Sequence, residues 1–289
     1  MVWKARHFEF CFPRPAVIMG IVNVTPDSFS DGGRFLAPES AIAHGIELVR
    51  QGAEILDIGG ESSRPGAESV TEDEELRRVI PVIEGLASRV SVPLSVDTVK
   101  PGVAEAALLA GASIVNDIAA NRNDSELWRI TARFGAGYIA MHMQGTPRTM
   151  QVAPHYDDVA SEVLSFFRET LARMAQAGLG ADHVALDIGI GFGKSPDHNL
   201  ELLARMALFT QIPRPRVLGV SRKSFLGHLA GASVEHRLPG ALAVSCLARQ
   251  EGVEVYRTHD VAETAQALRV ADAVLARRPA DPSLKHGIA

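Results

Sequence analysis

The sequence predicts an α/β protein that folds as a single (β/α)8 barrel, and three observations support this fold class. Short, β-branched apolar runs recur eight times along the 289 residues. Segments with helical periodicity lie between these runs. No linker, low-complexity tract or change in composition divides the chain. Length alone suggests about two domains, but eight strand–helix units close one barrel of about 250 residues.

The eight apolar runs are predicted to be the parallel strands of the barrel. Each run is too short for a typical helix, and most are rich in valine and isoleucine, which favour strands. Parallel strands that are buried on both faces have almost continuous apolar sequences, as these do. In chain order the runs are residues 16–24, 54–60, 93–97, 113–118, 137–142, 184–189, 215–221 and 254–258.

Helices are predicted where apolar residues recur every three or four positions. The predicted helices are residues 40–51, 71–88, 102–110, 125–134, 159–177, 200–208, 238–250 and 261–276. Thr71 with Glu74, and Asp260 with Glu263, have the spacing of a capping box at a helix start. Ser195 precedes a proline, which fits an N-cap followed by proline in the first turn.

An open, doubly wound sheet is the alternative arrangement of alternating strands and helices. Such a sheet usually carries a glycine-rich dinucleotide-binding turn after its first strand. Residues 23–28 stand at that point here, and their sequence, NVTPDS, contains no glycine. The barrel is therefore favoured over residues 15–279, with an N-terminal extension at 1–14 and a polar tail at 280–289.

Composition excludes several classes of protein. A hydrophobic content of 46% fits a soluble globular chain with a large core and argues against disorder. The net charge of −5 disfavours a nucleic-acid partner, which usually requires a basic excess. The two cysteines form no disulfide framework and suit reduced thiols in the cytoplasm. No apolar run approaches the ~18 residues of a membrane span, and charges interrupt the N-terminal stretch, so neither membrane association nor a signal peptide is expected.

Each predicted strand ends in residues that form hydrogen bonds or carry charge. A single polar residue at the end of a strand commonly closes a turn or caps the next helix. Polar residues at the ends of all eight strands are harder to explain in that way. In a TIM barrel the catalytic groups lie at the C-terminal ends of the strands, so the active site is predicted there. Glu61, Asp117 and His142 are assigned structural roles, in which they orient neighbours or close turns.

The remaining residues at the strand ends divide into two groups by chemistry. The first group is Asp97, Asn116, Asp187 and Lys223. Carboxylates and an amide accept the N–H groups of a planar heterocycle, and the lysine donates to its carbonyl. The second group is Asn23, Arg64, Arg257 and His259. Guanidinium groups bind phosphates in a bidentate manner, and the amide oxygen of Asn23 suits a divalent cation such as Mg²⁺ on those phosphates.

Motifs of other chemistries are rejected. Residues 189–195, GIGFGKS, look like a phosphate-binding P-loop, but the four-residue spacing between the first glycine and the Gly-Lys pair fails. A flexible loop that lets Phe192 approach a ligand is favoured instead. No two histidines have the H-x-x-x-H spacing, so catalytic zinc is not expected. The chain also lacks the G-x-S-x-G pattern of serine hydrolases.

Taken together, the polar segments resemble the signatures of the dihydropteroate synthase family. Residues 19–33, MGIVNVTPDSFSDGG, resemble its first signature, and residues 59–67, GGESSRPGA, resemble its second. Shorter matches follow in the family's order at residues 95–98, 116–118, 141–145, 221–224 and 257–260. The resemblance covers roughly residues 15–276, and the two long motifs are the specific ones.

This resemblance implies a TIM-barrel transferase of folate biosynthesis. With Mg²⁺, the family condenses 6-hydroxymethyl-7,8-dihydropterin diphosphate with p-aminobenzoate to give 7,8-dihydropteroate and pyrophosphate, and sulfonamides compete for the p-aminobenzoate pocket. The electron-rich dihydropterin ring stabilises positive charge on its methylene, so SN1-like loss of pyrophosphate is expected. The resemblance also implies a homodimer that forms through the helices at 238–250 and 261–276.

The family's site residues are carried over by matching position. The pterin would be held by Asp97, Asn116, Asp187 and Lys223. The diphosphate would be held by Asn23, Arg64, Arg257 and His259, with Asn23 on Mg²⁺. The p-aminobenzoate pocket would be lined by Ser63, Pro65, Phe192, Lys223 and Ser224. Catalytic roles fall to Asp97, Lys223, Arg257 and His259, and the family's mobile loops correspond to residues 25–35 and 62–69.

Three residues depart from the family pattern, and two alternative functions stay open. Ser63 stands where threonine is common, Ile188 where proline is common and Ile190 where phenylalanine is common.

A corrinoid-linked, pterin-dependent methyltransferase has a similar fold but no use for Arg64, Lys223 and the Arg257–His259 pair. A paralogue that only binds pterin would be expected to have lost residues for the diphosphate or its Mg²⁺, and this sequence keeps all four of those residues.

Overall fold

The computed structural model describes residues 1–24, 37–62, 66–120 and 125–278. Over these residues eight parallel strands close into a barrel, in the order β10-β3-β4-β5-β6-β7-β8-β9. The barrel strands are β3 (Val17–Asn23), β4 (Ile55–Gly59), β5 (Leu94–Asp97), β6 (Ile114–Asp117), β7 (Gly137–Met141), β8 (Val184–Asp187), β9 (Arg216–Gly219) and β10 (Val255–Thr258). All eight predicted strands are confirmed. The predicted loop at 25–35, residues 63–65 of the predicted loop at 62–69, and the tail at 280–289 lie outside the described residues.

Nine α-helices occur within the described part of the chain, and they surround the barrel. They are α1 (Ala37–Gln51), α2 (Glu72–Ala87), α3 (Pro101–Ala110), α4 (Glu126–Phe134), α5 (Val159–Gln176), α6 (Pro196–Ala204), α7 (Ser224–Ala230), α8 (Leu238–Gln250) and α9 (Val261–Leu275). Each predicted helix is present, although α6 begins four residues before its predicted start and a 3₁₀ turn, Met206–Gln211, follows it. The sequence did not predict α7, which has only seven residues.

Two of the three predicted helix caps are confirmed. The Thr71 hydroxyl accepts a hydrogen bond from the Glu74 amide at 3.3 Å. Ser195 forms a reciprocal capping box with His198 at the start of α6, and Pro196 occupies the first turn. The predicted cap at Asp260 is wrong, because its side chain makes no capping bond to α9. The Asp260 carboxylate instead accepts hydrogen bonds from side chains of the loop after β9.

The N-terminal end of the barrel is closed by apolar side chains. Within the predicted extension, β1 (Val2–Ala5) and β2 (Phe8–Cys11) form an antiparallel hairpin. Trp3 is fully buried and packs, with Phe10 of the hairpin, against side chains such as Met19 that fill the barrel interior. The Trp3 indole also donates a hydrogen bond to the His183 carbonyl at 2.9 Å. The buried side chains of the hairpin therefore extend the core of the barrel at this end, and the polar end of the barrel is the opposite one.

No helix within the described ranges combines the length and the hydropathy that crossing a membrane requires.

Candidate active site

The polar residues predicted for the site meet at the C-terminal end of the barrel. Asp97 ends β5 and pairs in register with Asn116 of β6, while Asp187 ends β8. Arg257 lies in β10, next to β3, which ends at Asn23. The parallel register brings these strand ends to one rim, because every strand runs in the same direction.

Arg257 joins the two groups that the sequence treated separately. Its guanidinium Nη2 donates to Asp97 Oδ2 at 2.7 Å, and its Nε donates to Asp57 Oδ2 at 2.6 Å. Burial opposes the charge on Arg257, but Asp57 and Asp97 outweigh this effect and raise the pKa of the guanidinium above its ordinary value. The arginine predicted for the diphosphate is thus hydrogen-bonded to a carboxylate predicted for the heterocycle.

Asp57 is a residue of the site that the sequence reasoning missed. It is fully buried within β4, and its Oδ2 accepts hydrogen bonds from both Arg257 and the Asn116 amide, the latter at 3.0 Å. Its Oδ1 has no hydrogen-bond partner among the residues that the structure describes. The signal was present in the sequence, since an aspartate interrupts the apolar run ILDIG. The residue lies inside the strand, whereas the active site of a barrel is expected at the ends of its strands.

Asp97 titrates near neutral pH. Burial raises the pKa of its carboxyl to about 7, and the effect is partly offset by Arg257. The neighbouring carboxylates of Asp57, Glu75 and Asp117 raise the pKa further by repulsion. The charge on Asp97 is therefore costly unless a cation faces it.

Asp187 and Lys223 form a second charged area, at the end of β8 and after the end of β9. Burial raises the pKa of Asp187, and the hydrogen bond that its Oδ1 accepts from the Gly189 amide at 2.7 Å lowers it. Burial lowers the pKa of Lys223 to about 7, against the attraction of Asp187. The Lys223 ammonium also lies 3.8 Å from the centroid of the Phe192 ring. Lys223 consequently lies between the residues predicted for the pterin and a residue predicted for p-aminobenzoate.

The predicted p-aminobenzoate group is brought together in part. Phe192 packs with Met141, Met143 and Met150 in a small apolar cluster beside Lys223. Ser224 follows Lys223 directly and begins α7, where it is exposed. Ser63 and Pro65 lie outside the described residues. The two departures that can be located, at positions 188 and 190, are isoleucines buried in the main core.

His259 is held at the end of β10 by a polar network. The Ser221 hydroxyl lies 3.0 Å from His259 Nδ1 and donates to Asp260 Oδ2 at 3.3 Å. Arg222 also donates to Asp260, at 2.9 Å. This network holds the imidazole at the end of β10, two residues after Arg257. Of the predicted diphosphate group, Arg257, His259 and the half-buried Asn23 therefore occupy adjoining strand ends, and Arg64 lies outside the described residues.

The three residues assigned to structure do have structural partners. Glu61 accepts a hydrogen bond from Lys100, which also bonds Glu75 on α2. The Asp117 side chain accepts from the Ala119 amide at 2.8 Å and closes the turn after β6. His142 Nδ1 lies 3.0 Å from the ammonium of Lys194.

The fold and the site together define a class of protein. A parallel barrel whose mouth combines buried aspartates, an asparagine and a lysine with an adjoining arginine and histidine suits a nitrogen heterocycle that carries an anionic group. The family model of pterin binding enzymes matches residues 19–259.

Relatives at high identity narrow the class. The dihydropteroate synthase of Escherichia coli K12 is 47% identical over 261 residues, which cover 90% of this chain and 92% of that enzyme. The Yersinia pestis dihydropteroate synthase, solved as a sulfonamide drug complex, matches with a TM-score of 0.89 at 40% identity, over 96% of this chain and 100% of that one. The Xanthomonas albilineans dihydropteroate synthase, solved with 4-aminobenzoic acid, matches with a TM-score of 0.88 at 44% identity and the same coverage. The chain belongs to the dihydropteroate synthases, within the pterin-binding enzymes.

Proposed function

We propose that this chain condenses 6-hydroxymethyl-7,8-dihydropterin diphosphate with p-aminobenzoate to form 7,8-dihydropteroate and pyrophosphate, as a transferase of folate biosynthesis. The observation that carries the proposal is the hydrogen bond between Arg257 and Asp97, which places an anion-binding group against a heterocycle-binding group. Family membership supports the same reaction, and the Xanthomonas albilineans relative has also been solved with 7,8-dihydropteroate.

The pterin fits the buried acceptors of the mouth. Asp97, Asn116 and Asp187 accept N–H groups of the pterin ring, and Lys223 donates to its carbonyl. Asp57 holds the Asn116 amide and the Arg257 guanidinium in place through one oxygen. Buried polar groups of this kind select a ligand that satisfies all of them.

The reaction proceeds by ionisation of the pterin diphosphate. The bond between the methylene carbon and the diphosphate oxygen breaks, and its electron pair leaves with pyrophosphate. Asp97 stabilises the positive charge that develops on the pterin, while Arg257 and His259 stabilise the leaving anion. The amine lone pair of p-aminobenzoate then forms the new C–N bond, and the resulting ammonium group releases its proton to water or to the departing pyrophosphate. An arylamine is already neutral at pH 7, so no strong general base is required.

Mg²⁺ fits this site as a cation carried by the diphosphate. Within the described residues no three acidic, histidine or cysteine side chains are grouped to hold a metal ion. Mg²⁺ needs few protein ligands when phosphate oxygens and waters complete its shell. Asn23 would supply an amide oxygen at the end of β3, and the bound ion would neutralise charge on the diphosphate.

A homodimer through α8 and α9 is part of the proposal. These helices present large apolar side chains to solvent: Leu247 is 65% exposed, Val270 62% and Val274 57%. Exposed apolar residues on two adjacent helices support a protein interface. A cytoplasmic location stays an expectation from the composition, in which the two cysteines are free.

The test is product formation by the purified protein. Pterin diphosphate, p-aminobenzoate and Mg²⁺ are supplied, and dihydropteroate is measured by chromatography. We expect product from the complete mixture and none when either substrate is omitted. Tight binding of the pterin with no product would overturn the proposal and favour a protein that only binds pterin.

A further inference from the structure

A buried lysine supports the loop that follows β8. Lys194 is only 2% exposed, and its ammonium donates to the carbonyl oxygens of Phe192 at 2.9 Å and His142 at 3.3 Å. The same ammonium lies 3.0 Å from His142 Nδ1. Burying a lysine is costly and rare, so its hydrogen bonds have to offset a large loss of hydration.

The rest of this loop is tethered in the same way. The Gly191 carbonyl accepts from the Gln151 amide at 2.8 Å, and the Gly191 N–H donates to Asn199 at 2.7 Å. The Gly193 carbonyl accepts from the Tyr156 hydroxyl at 2.8 Å. These bonds tie the loop predicted to be flexible to α6 and to the segment between β7 and α5. At Phe192 itself, the amide donates to the Gly189 carbonyl at 3.1 Å and the carbonyl accepts from Lys194.

The path of the loop depends on a close approach to the end of β7. Gly189 has a φ of +68°, and a Cβ at that position would lie 1.9 Å from the His142 carbonyl oxygen. The same carbonyl accepts from Lys194. Glycine provides the approach and the lysine satisfies the acceptor, so the backbone is held against β7 at this point.

The consequence of this arrangement is the position of the Phe192 ring. The ring centroid lies 3.8 Å from the Lys223 ammonium, within the mouth of the barrel. The Lys194 ammonium binds the main-chain carbonyls of Phe192 and His142, so its hydrogen bonds reach the mouth through the backbone of Phe192. Its charge also favours the ionised form of Asp187, so an effect through Phe192 has to be separated from an effect on Asp187 by experiment.

We propose that Lys194 is a positioning residue for the arylamine substrate, which it serves by fixing the Phe192 backbone so that the ring forms one wall of the arylamine pocket. This inference rests on the proposed function and adds to it a residue that does not touch the substrate. It also gives a role to the GIGFGKS motif, whose lysine binds loop carbonyls instead of phosphate.

The test compares Lys194→Met with a matched control. Arg6 also donates to two main-chain carbonyls, those of Leu108 at 3.0 Å and Ala112 at 2.9 Å, but at the N-terminal end of the barrel. We expect Lys194→Met to raise the KM for p-aminobenzoate by about tenfold, since two loop hydrogen bonds are lost. The affinity for pterin diphosphate, measured by calorimetry, should change much less. Arg6→Met should lower the melting temperature and leave both parameters unchanged.

A double-mutant cycle shows whether the effect passes through Phe192. In a Phe192→Ala background, adding Lys194→Met should cause no further rise in the KM for p-aminobenzoate, because the ring that the lysine positions is absent. If Lys194→Met does not fold, Lys194→Gln keeps a shorter donor and should show the same selective rise in KM.

The outcomes separate this inference from the proposed function. A wild-type protein that makes no dihydropteroate overturns the proposed function. An active wild type together with an unchanged KM in a folded Lys194 variant overturns the positioning role alone. Equal weakening of both substrates, or additive effects in the double-mutant cycle, also overturns it.

Discussion

Arg257 and Asp97 form an ion pair at the mouth of the barrel, with guanidinium Nη2 2.7 Å from carboxylate Oδ2. In the proposed reaction this pair would place the group for the leaving anion directly against the group for the developing cation. Because opposite charges would develop on the two halves of the substrate as its C–O bond breaks, one arginine–aspartate pair would serve both halves. Asp57 restrains the pair from the barrel interior.

Replacing Arg257 should reduce both turnover and stability. In Arg257→Ala, Asp57 and Asp97 lose their shared cation, and removing one partner of a buried ion pair costs about 3–5 kcal/mol. Arg257→Lys keeps the charge but lacks the planar fork that reaches both carboxylates, so its turnover should also fall. Steady-state rates and denaturant unfolding check these effects. Wild-type turnover in Arg257→Ala would remove the arginine from the mechanism.

The pH dependence of stability should report on Asp97. Its pKa is raised to about 7 in the folded chain, so the folded state holds the proton more tightly than the unfolded state. Its contribution to the free energy of unfolding is therefore fully present below the ordinary pKa of aspartate and is lost as the pH rises through about 7. Asp97→Asn should remove this slope. Urea unfolding across this pH range measures it, and identical slopes in both proteins would contradict the assignment.

Catalytic efficiency should rise with pH over the range in which the contribution of Asp97 to stability is lost. In the proposed mechanism the ionised form of Asp97 stabilises the pterin cation, so kcat/KM for the pterin diphosphate, which reports groups of the free enzyme, should rise as the pH rises through about 7. Asp97→Asn should have a low kcat/KM without this rise. The measurement is kcat/KM for the pterin diphosphate, at saturating p-aminobenzoate, across the same pH range. A normal rate and a wild-type profile in Asp97→Asn would remove its catalytic role.

Asp57→Asn should weaken the pterin half of the site selectively. The substitution keeps the size of the side chain but removes the charge that Arg257 faces, and it replaces one of the two carboxylate oxygens with an NH2 group that only donates. We expect a lower kcat and weaker binding of the pterin diphosphate, with the KM for p-aminobenzoate nearly unchanged. The matched control is Glu254→Gln, which disrupts the buried Arg216–Glu254 ion pair at the opposite end of the barrel. Equal effects of both variants on pterin binding would show that only stability had changed.

Trp3→Ala tests the hairpin at the other end of the barrel. Trp3 is fully buried and hydrogen-bonded to the His183 carbonyl, so its truncation should cost about 3–5 kcal/mol of unfolding free energy. The KM values should stay unchanged because the active site lies at the opposite end. Thermal or urea unfolding measures the loss of stability, and steady-state kinetics measures the KM values. Selective loss of substrate affinity at unchanged stability would contradict the structural role.

The barrel strands were predictable because each is buried on both faces and is therefore continuously apolar. The hairpin of β1 and β2 was not, since its strands have only four residues each and alternate buried Trp3 and Phe10 with exposed Lys4 and Glu9. Four residues hold only two repeats of this alternation, which are too few to distinguish a strand from an irregular extension. The burial of the hairpin depends on its contact with the end of the barrel, so it cannot be predicted from the hairpin sequence alone.

The site was predictable where its residues end strands, and less so elsewhere. Asp57 lies inside β4 instead of at its end, so its role depends on a partner 200 positions away in the sequence. The cap expected at Asp260 failed because Ser221 and Arg222 compete for the same carboxylate. Local spacing predicts a local partner, whereas these contacts are set by tertiary structure.

The ionisation that Arg257 and Asp97 are proposed to support is tested most directly by varying the nucleophile. In the measurement, kcat is determined at saturation for a series of para-substituted anilines of increasing basicity. If the C–O bond breaks before the amine attacks, kcat should stay nearly constant across the series, because the amine takes no part in the slow step. A steep rise of kcat with basicity would show that the amine attacks in the slow step, and would contradict charge separation as the basis of catalysis.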